Sequence, residues 1–173
     1  MNNKRLKHHG FTLLEILVVL VIITIVVSVG LFSVGSSDVK RTEQAVRQVS
    51  AEIESIGKQA LLNGQNIGMG LTASHYRFYQ RDEAEGVWKS LDSDPTFTQR
   101  SLPEVVSIRL TVDGETQKLP EQFEQQPQLI FDASGERTPF EIMFQMETTG
   151  FGFRIFGEAR GPIIWSYVAA TTY

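Results

Sequence analysis

Glu15 is the only ionisable side chain between Phe11 and Ser37, in a stretch that reads FTLLEILVVLVIITIVVSVGLFSVGSS. In hydrocarbon such a charge costs about 2.5 kcal/mol or more unless a cation meets it. The chemistry open to Glu15 is therefore ion pairing. Elsewhere reactive side chains are sparse. The chain has no cysteine, which excludes disulfides, thiolate zinc sites and a cysteine nucleophile. Of its 3 histidines, His8 and His9 lie near the N-terminus, and His75 stands beside Tyr76 with no second imidazole for a metal. No Gly-x-Ser-x-Gly nucleophile elbow is present. Asp82, Glu83 and Glu85, or Asp92 and Asp94, have oxygens that suit Ca²⁺, but solvated loop charge is the simpler reading of both groups. Gly68 and Gly70 flank Met69 without the Lys or following helix of a phosphate cradle, so they mark a strand irregularity. Nothing here points to catalysis or to a cofactor.

The elements that position Glu15 begin with a basic leader. Residues 1–10, MNNKRLKHHG, carry Lys4, Arg5 and Lys7. Residues 16–37 then run for 22 positions without a charge. A bilayer core of about 30 Å needs roughly 20 helical residues at 1.5 Å each, so this segment is long enough to span it. The basic leader favours a cytoplasmic N-terminus, with residues from about 38 onward on the far side. A mean hydropathy of −0.09 over 173 residues, 42% of them apolar, excludes a polytopic membrane protein. A secretory signal ending near residues 33–35 is the competing reading. Its apolar region normally runs only about 7–15 residues, and Glu15 is misplaced in it.

The junction Gly10-Phe11-Thr12-Leu13-Leu14-Glu15 resembles the signal of type IV prepilins. That resemblance implies cleavage after Gly10 by a membrane-embedded prepilin peptidase, N-methylation of the new N-terminal Phe11, and a role in assembly for Glu15. Cleavage would create a cation for the glutamate, the α-amino group of Phe11 on a neighbouring subunit. Such a pair would set the axial register as each subunit joins a filament.

Past Asp38 the apolar residues keep helical spacing. Val39, Thr42, Val46, Val49, Ile53, Ile56 and Ala60 form one stripe, with Lys40, Arg41, Glu43, Arg47, Glu52, Glu54 and Lys58 between them. Asn63-Gly64 is a stop signal. The pattern predicts a helix over residues 12–62, about 75 Å long, with Gly30, Gly35 and Ser36-Ser37 as points of possible bending. After Gly64 the period changes to two. Strands are expected over residues 75–80, 86–91, 106–112, 129–131, 142–146, 151–155 and 163–168, with a turn at Asp113-Gly114 and a polar loop over 117–128. Seven to nine short antiparallel strands follow one long helix, an α+β arrangement. The chain divides into a leader (1–10), a transmembrane half-helix (11–37), an amphipathic half-helix (38–63) and a β-rich globular domain (64–173).

That order of elements is also the order of pilin-like proteins. The string LIFDASGERTPFEIMF, residues 129–144, is similar to the strand-turn-strand signature of the minor pseudopilin GspH family and the related FimT pilins. No proline interrupts the apolar segment, and no calcium loop of the major pseudopilin kind is recognisable; both absences suit a minor subunit. The resemblance implies a pilin-like fold, a single-pass anchor in the bacterial inner membrane and a C-terminal domain in the periplasm. It implies a structural subunit of the type II secretion pseudopilus, which drives folded proteins across the outer membrane. The partners implied are the major pseudopilin, other minor pseudopilins, the prepilin peptidase, the inner-membrane assembly platform and the exported proteins.

The alternative is a FimT-like minor pilin of a type IV pilus or competence system that binds DNA. Losing Lys4, Arg5 and Lys7 from 16 basic side chains leaves 13 against 20 acidic ones, a net charge of about −7. Residues 157–173 offer Arg160 as their one base, against Glu158. That is poor footing for neutralising phosphates, and no nucleic-acid partner is expected.

Cleavage gives the first prediction. Intact-mass analysis of the chain from membranes should find it beginning at N-methylated Phe11, and Gly10→Val should block the cut. A mature terminus beyond Ser33 would restore the ordinary signal peptide.

Overall fold

In the computed structural model the described residues are 13–146 and 150–169, with side chains described throughout except at 26–36. The first element is α1 (Leu13–Asn63), 51 residues of unbroken helix, as the periodicity predicts. It ends where Gly64 takes φ +62° and the Gln65 N–H donates to the Ala60 carbonyl at 3.1 Å. This is a Schellman stop, and it uses the freedom of glycine in the left-handed region. The chain divides into two compact units, Met1–Val39 and Lys40–Tyr173, and α1 belongs to both.

In the second unit the stripe is buried as its spacing predicts. Thr42, Val46, Ile53, Ile56 and Ala60 are wholly enclosed and Val49 nearly so. The strands follow as β1 (Ile67–Leu71), β2 (His75–Asp82), β3 (Val87–Ser90), β4 (Arg100–Ser101) and β5 (Val106–Val112). Then come β6 (Glu115–Gln117), β7 (Leu129–Phe131), β8 (Phe140–Met146), β9 (Gly152–Gly157) and β10 (Ile164–Val168). They make two antiparallel sheets. One has the order β3-β2-β1-β7, with β4 also on β2; the other runs β10-β9-β8-β5-β6. In the first sheet Met69 is level with Phe78 and with Leu129, so Ile67, Met69, Leu71, Tyr76, Phe78, Leu129 and Phe131 share one buried face. In the second, Leu110, Ile142 and Ile155 lie in one row and are fully buried.

Ten strands among the described residues exceed the seven to nine expected. β4 and β6 are too short for any alternation to register, and β6 claims Gln117 from the expected loop. β1 hides for another reason. Its alternate positions are Gly68 and Gly70, and a Cβ on Gly68 would lie 2.2 Å from Pro127 Cγ, one on Gly70 2.8 Å from the Tyr79 ring. These glycines admit the loop after β6 to the outer face of the sheet. Tyr79 Oη donates to the Glu124 carbonyl at 3.0 Å, and the Arg77 guanidinium lies 4.3 Å from the Phe123 ring. The Gln128 amide then accepts from Leu71 N–H at 2.9 Å and donates to Leu71 C=O at 3.0 Å, extending the ladder beyond β7 with a side chain.

One polar cluster ties helix to sheet. Glu52 accepts from Tyr76 Oη at 2.8 Å and from Gln48 at 3.0 Å, and the Arg100 guanidinium lies 2.8 Å away. Burial, and the Glu52 charge beside it, keep the Tyr76 hydroxyl protonated far above the usual tyrosine range. Its proton is thus committed to the carboxylate.

A fragment beginning at Asp38 should fold alone, with a mixed α/β circular dichroism spectrum and a single cooperative melt. In it, Ile53→Ala should lower stability by about 2–5 kcal/mol in urea titration. An unfolded fragment, or a variant matching wild type, would show that the stripe does not hold the sheets.

Candidate functional site

Glu15 stands in the first turn of α1, where an acid suits the positive end of the helix dipole. Around it the large apolar side chains are exposed on all sides of the helix. Leu13 is 86% exposed, Leu17 57% and Ile25 58%. A helix that is apolar all round is built for burial in something other than its own domain. Among the described residues no helix is long and apolar enough to cross a membrane. The side chains at 26–36, in the C-terminal half of the expected span, lie outside the described residues, as do Gly10 and Phe11.

The other sequence candidates resolve into structural roles. His75 begins β2 half-buried, its Nδ1 2.8 Å from Ser74 Oγ. Among the described residues no group of three metal-ligating side chains forms. Asp82 pairs with Lys89 at 2.7 Å and accepts from the Ala84 and Glu85 N–H groups, which holds its carboxyl below the usual range. Glu85 shares Lys89 at 2.9 Å, and Glu83 accepts from Asn66 at 3.3 Å. Asp92 pairs with Arg77 at 3.2 Å, and Asp94 caps the Thr96 N–H at 2.8 Å. These acids shape turns.

The signature at residues 129–144 has a definite job: it carries the chain from one sheet to the other, from β7 to β8. Asp132 makes the turn. Its carboxylate, lowered in pKa by the Ser134 hydroxyl and N–H, accepts from that N–H at 2.7 Å, and Gly135 takes φ +86°. Ala133 N–H donates to Asn66 Oδ1 at 2.9 Å, which ties the turn to the chain just after α1. Arg137 reaches the other way. Its Nε donates to the Glu158 carbonyl at 2.7 Å, a second nitrogen donates to the Gly161 carbonyl, and its backbone N–H donates to Ala159 at 3.0 Å. Burial depresses the guanidinium pKa. Arg160 closes the far side on Glu136 at 2.8 Å. The role of Arg137 escapes sequence reading because its acceptors are backbone carbonyls, which leave no residue-type signal. A Gly-Glu-Arg-Thr-Pro string between two apolar strands was the only cue.

Two family models match the chain. The prokaryotic N-terminal methylation motif covers residues 5–31, and type II transport protein GspH covers residues 45–160. The chain belongs to the GspH family. Among GspH relatives, type II secretion system protein H of Escherichia coli K12 is 31% identical over 155 residues, covering 87% of this chain and 86% of that protein. The Pseudomonas aeruginosa protein of the same name is 28% identical over 142 residues, covering 77% and 80%. Solved structures agree in fold. The minor pseudopilin EpsH of Vibrio cholerae superposes with a TM-score of 0.59 at 20% identity, over 73% of this chain and 96% of that one. The solution structure of E. coli GspH gives 0.57 at 22%, over 76% and 89%. The pilin-like α+β architecture expected from sequence is the one observed.

Arg137 generates a prediction about the junction. In the fragment from Asp38, Arg137→Ala should cost roughly 1–3 kcal/mol and speed amide exchange across residues 157–163. Arg137→Lys should rescue little, because one ammonium cannot replace a fork that serves two carbonyls. Wild-type exchange in both variants would remove Arg137 from the junction.

Proposed function

We infer that this chain is a minor pseudopilin of the type II secretion system, a structural subunit of the periplasmic pseudopilus that drives export of folded proteins. What carries the reading is the joining of a prepilin-type methylation motif to a GspH domain in one chain. The subunit waits in the inner membrane on residues 11–37, with its amphipathic half-helix and β-rich domain from 38 onward in the periplasm. Prepilin peptidase cuts between Gly10 and Phe11, and Phe11 is then N-methylated. The major pseudopilin, the other minor pseudopilins and the inner-membrane assembly platform are its partners. Its work is mechanical.

Glu15 is the residue that acts in assembly. It lies four residues past Phe11, about 6 Å deeper along the helix, within reach of the Phe11 amine of an adjacent subunit. Exclusion of water strengthens such a pair as the filament forms. Glu15→Ala should leave cleavage, membrane insertion and the folded domain intact. Crosslinking to the major pseudopilin should fall roughly tenfold or more, corresponding to about 1.4 kcal/mol of lost assembly energy. Export should fall with it in a strain lacking the wild-type copy. Glu15→Gln keeps the shape without the charge and should behave like the alanine variant. Full crosslinking and secretion in both variants would leave the segment as an anchor only.

A further inference from the structure

Sheet edges leave backbone N–H and C=O groups open, and proteins blunt them with charge, shortness or a cover. The first sheet is guarded at both ends. β3 carries Lys89, which pairs with Asp82 and Glu85. The free side of β7 is closed by its own chain: Thr138 N–H donates to the Ile130 carbonyl at 2.9 Å, and Thr138 Oγ1 accepts from Ile130 N–H at 3.2 Å. In the second sheet β6 has only 3 residues, one of them Glu115. β10, at the other edge, has none of these devices. Its 5 residues, Ile-Trp-Ser-Tyr-Val, include no charge, no proline and no glycine. The backbone groups on the side away from β9 meet no partner among the described residues. Trp165 and Tyr167 stand level with Ile155 and Phe153 on one face, and Ile164 and Val168 with Phe156 and Gly152 on the other. Ile164 is 43% exposed and Tyr167 52%. The nearby cations are already matched, Arg47 over Trp165 with Glu43, and Arg154 beside Ser166 with Glu141.

We propose that the chain pairs with a second copy of itself along β10, antiparallel about a two-fold axis through Ser166, so that two 5-stranded sheets become one. The sequence of the strand selects this occupant. With Ser166 on the axis, Trp165 of each copy faces Tyr167 of the other, and Ile164 faces Val168. Aromatic then meets aromatic, β-branched meets β-branched, and no like charges are opposed. Directly opposed pairs of this kind are what stabilise neighbouring strands. The contact is isologous, so it closes on itself and stops at two copies. The open backbone groups of β10 find partners, and the exposed Ile164 and Tyr167 gain a neighbour.

The test uses the full-length chain in detergent micelles. The chain has no cysteine, so Ser166→Cys introduces a single thiol. Residues directly opposite in an antiparallel pair have Cα atoms about 4.5–5.5 Å apart, within disulfide reach. Oxidation of the Ser166→Cys chain should therefore give a covalent dimer. Thr116→Cys, on β6 at the other edge of the same sheet, should stay monomeric. Adding Ile164→Lys and Val168→Lys to the Ser166→Cys chain sets like charges opposite each other and should cut dimer yield roughly fivefold or more. Mixing that chain with one carrying Ser166→Cys, Ile164→Glu and Val168→Glu should restore the yield as mixed dimers. No dimer from Ser166→Cys overturns the proposal. So does an equal yield from Thr116→Cys, which would mean only that micelles bring copies together. Crosslinking that ignores the lysines, or a mixture that fails to recover it, overturns the pairing about Ser166.

Discussion

One helix has to satisfy two environments, and the rest of the structure follows from that constraint. From Leu13 to Ile25 its apolar side chains project on every side, while from Thr42 to Ala60 only one stripe is apolar and that stripe is buried. Burial of such a stripe contributes through the area taken from water, at roughly 25 cal/mol per Å². The sheets need it as much as the helix does. Met69, Phe78, Leu129 and Phe131 present a single apolar face that would otherwise meet water.

The two sheets are joined by polar contacts of a particular kind. Asn66, Asp132 and Arg137 connect the end of α1, the β7–β8 crossing and the β9–β10 loop through hydrogen bonds to backbone. Backbone groups in such crossings need partners once they leave the ladders. Three side chains supply them, Asn66 and Asp132 accepting from the Ala133 and Ser134 N–H groups and Arg137 donating to the Glu158 and Gly161 carbonyls, as the chain changes sheets. Glu52, Tyr76 and Arg100 do the corresponding work between α1 and the first sheet.

Much of this was legible in the sequence, and the rest was hidden for identifiable reasons. Period 3.6 from Val39 to Ala60 named the buried stripe, and Asn63-Gly64 named its end within a residue. Period two named β5 and β8 closely, because both alternate large apolar residues with polar ones. β1 stayed obscure because Gly68 and Gly70 are spacers for Pro127 and Tyr79, a tertiary reason invisible to local pattern. Of the candidate site, Glu15 was conspicuous as a charge among apolar residues. The roles of Arg137 and Gln128 were not, since each serves backbone groups far away in the chain. A bond to a carbonyl selects geometry, not a matching residue type.

The side-chain bridge from Gln128 to Leu71 has a consequence for life at high density. β1 is the most buried strand of its sheet, and its outer edge runs past the end of β7. A bare edge of that sort is a template on which another chain can build. The carboxamide fills both hydrogen-bonding positions of Leu71 and ends the ladder there. Copies crowded in one compartment then find no open backbone on this strand, so one glutamine guards solubility where a longer strand would invite stacking.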